Sequence, residues 1–69
     1  LRESIMRHAD LRGANLRFAD LKMANLSETN LKDANLTGAD LSQANVWRAN
    51  LTDACLIDTV MPDGTLFTN

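Results

Sequence analysis

An all-β solenoid is the fold class this sequence predicts, and three observations point to it. Leucine or a close substitute recurs every five residues, at Leu1, Met6, Leu11, Leu16, Leu21, Leu26, Leu31, Leu36, Leu41, Val46, Leu51, Leu56 and Met61. Alanine stands two residues before most of these, with Asp or Asn between. The triad Ala-Asp/Asn-Leu is intact at seven places, starting at Ala9, Ala14, Ala19, Ala24, Ala34, Ala39 and Ala49. Finally, a period of five fits neither a helix nor a straight strand, so the chain must turn between leucines. Self-similarity at a fixed period marks repeat architectures.

The helix fails first. Five residues advance an α-helix by about 500°, which sets successive leucines ~140° apart and leaves no apolar face. In a straight strand, side chains alternate, so an odd repeat throws successive leucines onto opposite faces. Within one triad, however, Ala and Leu are two apart and point the same way, while Asp or Asn points out. The two remaining residues of each repeat are free to make a corner. A short inward-facing strand plus a corner, repeated, winds a solenoid with Leu filling its axis and Ala letting the wall approach. Leu11, Leu16, Leu21, Leu26, Leu31, Leu36, Leu41, Leu51 and Leu56 are expected inside. Asn and Asp suit the corners because their short side chains bond to nearby backbone. Thr29-Asn30-Leu31, Ala44-Asn45-Val46 and Ala54-Cys55-Leu56 are near misses of the triad.

Composition narrows the alternatives. A chain of 69 residues holds one domain at most and needs staples or very regular packing. The lone Cys55 excludes an internal disulfide framework. No apolar run is long enough for a membrane span or a signal-peptide core. The net charge of −2 argues against wholesale electrostatic capture of nucleic acid. With 45% hydrophobic but only 4% aromatic residues, the core must be aliphatic.

These tandem triads resemble the pentapeptide-repeat family, whose members carry repeated Ala-Asp/Asn-Leu-x-x units, and the match covers essentially residues 1–61. The resemblance implies a right-handed quadrilateral parallel β-helix with four pentapeptides per coil. At that spacing the 69 residues make a little over three coils. Ser4-Ile5-Met6 and Thr59-Val60-Met61 depart from the pattern. The segment Met61-Pro62-Asp63-Gly64-Thr65 resembles one that closes such domains in cyanobacterial proteins. Pro-Asp-Gly is also a turn signature in its own right. The expected organisation is a solenoid over 1–61 and a turn and cap over 62–69. The opposite end starts in phase at Leu1 without a cap, so the chain is expected to be a fragment of a longer protein.

Residues 20 apart would then stack. The position after each leucine reads Arg2, Arg7, Arg12 and Arg17 through the first coil, with Lys22 and Lys32 in the next. Residues 33–69 carry Arg48 against Asp33, Asp40, Asp53, Asp58 and Asp63. One end is therefore basic and the other acidic. The arginines form a candidate ring for an acidic partner, set against a plain solvated surface. The same ring would repel a second copy approaching head to head through the uncapped first coil, and salt would relieve that repulsion. Trp47 and Phe67 would stack if the register survives the Pro-Asp-Gly turn, either pinning the cap or forming a hot spot. Phe18 and Met23 read as minor surface apolars at corners, and Asp20 and Asp40 would stack on one side.

No catalytic, cofactor-binding or metal-ligating set is expected. His8 is the only histidine, no Cys-x-x-Cys or His-Glu-x-x-His pattern occurs, and only Gly13, Gly38 and Gly64 are available for a phosphate loop. Cys55 reads as an unreactive thiol. A leucine-filled solenoid also offers no substrate pocket. The sequence thus predicts a non-catalytic structural or protein-interaction module, partnered by another protein or another domain of the same chain. It predicts no small-molecule substrate, cofactor, membrane or direct nucleic-acid binding. Two alternatives stand beside it, the first implied by the resemblance. One is a DNA mimic that binds type II topoisomerases, which would need a longer, more acidic rod. The other is a regulatory appendage of a signalling enzyme. Cytoplasm is the default location, since no targeting segment is visible.

Overall fold

The computed structural model describes residues 2–67; Leu1, Thr68 and Asn69 lie outside the described residues. Each triad forms one short extended segment, and parallel bridges join polar sites twenty residues apart. They fall into four ladders: Ile5–Asn25–Asn45, Asp10–Asn30–Asn50, Asn15–Asn35–Cys55 and Asp20–Asp40–Val60. The chain is therefore a parallel β-helical solenoid, and its strands are so short that regular pairing runs across coils rather than along them.

Four backbone hydrogen bonds recur in the central repeats. Around Leu36, the leucine N–H donates to the Cys55 carbonyl at 2.8 Å, and the Gly38 N–H donates to Ile57 at 2.9 Å. The Asn35 N–H donates back to the Ala14 carbonyl at 2.9 Å, and the Ala39 N–H closes the corner onto Leu36 at 2.9 Å. Leu26, Leu31 and Leu41 have the same four, and Leu11, Leu16 and Leu21 have all but the bond back to a lower coil among the described residues. This satisfies the obligatory backbone groups of a chain with almost no long strands.

Corners carry a cost that the sequence does not advertise. The second corner residue of each repeat has a positive φ, near 60°, in the left-handed region. Only Gly13 and Gly38 meet this requirement with glycine; Glu3, His8, Phe18, Met23, Glu28, Asp33, Gln43, Arg48, Asp53 and Asp58 do so with a side chain. For such residues the conformation costs about 1–2 kcal/mol. The polar site offsets it. Its side-chain oxygen accepts the N–H two residues on, as in Asn35 to Thr37 at 3.1 Å and Asn50 to Thr52 at 2.9 Å. That Asx arrangement clamps the corner in every repeat from Asp10 to Asn50.

The core is the expected column, but its ends taper. Leu21, Leu26, Leu31, Leu36 and Leu41 are fully buried with Ala24, Ala34 and Ala39. Leu11, Leu16, Leu51 and Leu56 were expected inside and are only half-buried, because each has a neighbouring coil on one side alone. Thr29 and Thr59 occupy alanine sites and are buried without loss. Each hydroxyl donates 2.7 Å to a main-chain carbonyl one coil below, that of Met6 and Leu36 respectively.

The closing segment folds differently from the coils beneath it. β1 (Thr59–Val60) pairs antiparallel with β2 (Leu66–Phe67), in the register Thr59↔Phe67 and Val60↔Leu66. Pro62 does not interrupt the ladder below, since its carbonyl still accepts the Gln43 N–H at 2.9 Å. The chain then reverses through a turn closed by Gly64 N–H to Met61 at 2.8 Å, with Gly64 at φ +86°. Phe67 therefore lies opposite Thr59 rather than above Trp47. The parallel register needed for the Trp47–Phe67 stack ends at this turn, and that expectation is corrected.

Candidate functional site

The corners present the side chains that could bind anything, so they are built up one at a time. One corner carries Arg7 and His8, then Ser27 and Glu28, then Trp47 and Arg48. His8 Nε2 lies 3.3 Å from Glu28 Oε1, linking the lower two coils. Trp47 is 58% exposed. The Arg48 guanidinium sits 4.6 Å from its ring centroid, a cation–π contact worth roughly 0.5–1 kcal/mol on an exposed surface. Sequence reading singled out Trp47 but not Arg48. The adjacency was visible, but the left-handed backbone at Arg48 that brings the guanidinium over the ring was not.

The four arginines differ in their partners. Arg2 donates two hydrogen bonds to Asp20 Oδ2, at 2.7 and 3.0 Å. Arg12 makes a two-pronged pair with Asp10, both contacts at 2.9 Å. These contacts, with the backbone N–H groups of Lys22 and Arg12, hold the Asp20 and Asp10 carboxyls below the usual carboxylate range. Arg17 reaches only the Asn15 amide oxygen, at 3.3 Å, and Arg7 has no carboxylate partner among the described residues. The uncompensated cations of the expected ring are thus Arg7 and Arg17.

Asp20 and Asp40 do stack, as their spacing implied, and each is neutralised locally. Lys22 Nζ lies 3.7 Å from Asp40 Oδ2. The Ser42 hydroxyl and N–H both bond Asp40 Oδ1 and lower its pKa. No group of three or more His, Cys, Asp or Glu side chains that could hold a metal occurs among the described residues. A shallow open groove runs along another corner, lined by Asp10, Arg12, Gly13, Lys32 and Asp33, and its charges pair among themselves.

Cys55 stands where other repeats have Asn or Asp. Its sulfur lies 3.3 Å from Thr37 Oγ1, and this hydroxyl, followed by the Ile57 N–H, lowers the thiol pKa. The sulfur thus ties this site to the coil below through Thr37. Phe18, 76% exposed, lies across Gly38 of the next coil, where a Cβ would come within 2.6 Å of its ring. The twenty-residue spacing from Phe18 to Gly38 carried that signal.

The family model for Pentapeptide repeats, in 8 copies, matches residues 1–33 and 29–62. No curated protein matches the chain. Among solved structures, a pentapeptide repeat protein from the Arabidopsis thaliana thylakoid lumen is 32% identical, with a TM-score of 0.45, over 91% of this chain and 55% of that one. HetL is a pentapeptide repeat protein involved in heterocyst differentiation regulation in the cyanobacterium Nostoc sp. strain PCC 7120. It is 25% identical, with a TM-score of 0.39, over 97% of this chain and 51% of that one. The chain therefore spans about half the length of both. Repeats matched over nearly every residue and a twenty-residue bridge spacing agree: this chain belongs to the pentapeptide-repeat family, the right-handed β-helical solenoids.

Proposed function

We propose that the chain is a non-catalytic protein-interaction segment whose docking surface is the corner formed by Arg7, Trp47 and Arg48. It is read as a quadrilateral rod, four pentapeptides per coil and a little over three coils, with a solenoid over 1–61 and a cap over 62–69. The four bridge ladders support that geometry. The exposed Trp47 capped by the Arg48 guanidinium carries the functional reading. Trp and Arg are the residue types enriched in binding hot spots, and neither Arg7 nor Arg48 is neutralised by a carboxylate among the described residues. The fitting partner is an acidic segment of a protein. Of the other residues singled out in sequence, Arg17 adds a second, separate cation, while Arg2, Arg12 and Phe67 serve within the fold. Uncompensated arginines at two corners of the first coil weigh against mimicry of DNA.

Trp47 is the only tryptophan, so its emission reads this corner directly. Titration with a glutamate-rich peptide is expected to shift that emission. The Arg7→Ala and Arg48→Ala variants are expected to weaken binding by about tenfold each, about 1.4 kcal/mol. Emission that responds equally to a lysine-rich peptide, or not at all to either, would contradict the proposal.

A further inference from the structure

A corner away from Trp47 carries an exposed aromatic, an exposed aliphatic and two charges of opposite sign. Its three levels, one per coil, are Arg17–Phe18, Thr37–Gly38 and Ile57–Asp58. Phe18 and Ile57 both face solvent, although large apolar side chains are more often inside. Arg17 reaches only the neutral Asn15 amide, and Asp58 makes no ion pair among the described residues. On the adjoining wall, by contrast, Asp20 is already held by Arg2, and Asp40 lies beside Lys22.

Gly38 makes the aromatic placement possible. A Cβ there would lie 2.6 Å from the Phe18 ring and push it aside. The ring therefore rests on the middle level, with one edge against the glycine and the rest open to solvent. Phe18 itself has a left-handed backbone, a conformation that Asp33, Gln43 and Asp53 supply at other corners with polar side chains. The corner turn does not require an aromatic.

Along the solenoid axis the corner runs from cation and aromatic, through glycine, to aliphatic and anion. Its complement is the same series reversed, and a second copy of the chain lying antiparallel provides it. A twofold axis at the Gly38 level opposes Arg17–Phe18 of each copy to Ile57–Asp58 of the other. Each guanidinium then reaches a carboxylate, and each aromatic ring an aliphatic side chain. The spacing matches because both copies wind with the same coils. A contact of this symmetry is isologous, one patch meeting itself. We infer that this corner is the interface of an antiparallel dimer of the chain. Size sets its strength. The molecule measures 26 × 22 × 18 Å, so one corner buries far less than the roughly 800 Å² per partner of a standard interface. The dimer is therefore weak and forms at high protein concentration. Because the contact closes on itself, growth stops at two.

Sedimentation equilibrium of the full 69-residue chain tests this from micromolar to millimolar concentration. The weight-average mass is expected to rise toward twice that of the monomer and no further. Arg17→Glu and Asp58→Arg each set like charges together across the axis, and each should weaken association by about tenfold. The double variant should restore it, because the pair is then re-formed with its signs exchanged. Position 58 accepts arginine, since Arg48 already holds the same left-handed backbone. A second measurement needs no variant. In an equal mixture of labelled and unlabelled parent chain at millimolar concentration, isotope-filtered NOEs should connect the Phe18 ring to the Ile57 methyls of the other copy. A parent chain that stays monomeric at every concentration, or lacks these NOEs, would overturn the inference. So would growth beyond two, single reversals without effect, or a double variant no better than the singles.

Discussion

Leu36→Asp is expected to unfold the chain outright. Leu36 is fully buried, packed within the central column of leucines and alanines and flanked by coils above and below. A carboxylate placed there has no cation within the apolar interior, and an unpaired buried charge costs several kcal/mol. Total stabilities of small domains are about 5–15 kcal/mol, and a chain of this size sits toward the lower end. Circular dichroism should show the β signal lost in buffer, with no cooperative urea transition remaining. A variant as stable as the parent would mean that Leu36 does not face the axis.

Shortening a leucine should expose the taper of the core. Leu26→Ala removes a fully buried side chain from the middle of the column, and such cavities cost about 2–5 kcal/mol. Leu56→Ala removes a half-buried one near the acidic end, where solvent already reaches part of the side chain. The urea midpoint of Leu26→Ala should therefore fall well below that of Leu56→Ala. Equal losses would imply that the interior is uniformly packed from end to end, against the observed gradient.

The register was legible because it rests on a local rule repeated many times. Ala and Leu two apart must share a face, and a five-residue period must turn, so the inward column and the outward Asx sites followed from residue order alone. The number of repeats per coil did not follow. Any constant turn closes some solenoid, and only the family resemblance pointed to a twenty-residue return. The left-handed corners were equally hidden, since Phe18, Met23 and Arg48 give no hint in composition of the φ they adopt.

The surface was harder to read than the core, and for a physical reason. Listing Arg2, Arg7, Arg12 and Arg17 gives their spacing but not which carboxylate each side chain can reach. Arg2 finds Asp20, eighteen residues away, and Arg12 folds back on Asp10, leaving Arg7 and Arg17 without a carboxylate partner among the described residues. The tail failed for a different reason. Twenty-residue stacking puts Phe67 over Trp47 only while the ladder stays parallel, and the turn at Gly64 reverses the chain before that. Thr29 and Thr59 read as imperfections in the triad, yet their hydroxyls are satisfied within the wall.

The central claim is that consecutive coils are joined leucine by leucine at a fixed offset along the chain. Scalar couplings transmitted through hydrogen bonds read that offset directly, from an amide nitrogen to the carbonyl carbon that accepts its proton. In a uniformly labelled sample, cross-peaks should connect Leu31 to Asn50, Leu36 to Cys55 and Leu41 to Val60, each nitrogen paired with the carbonyl of the residue before its twentieth successor. Cross-peaks from these leucines to carbonyls at any shorter offset, whether one repeat fewer per coil or the fourth residue back as in a helix, would contradict the account.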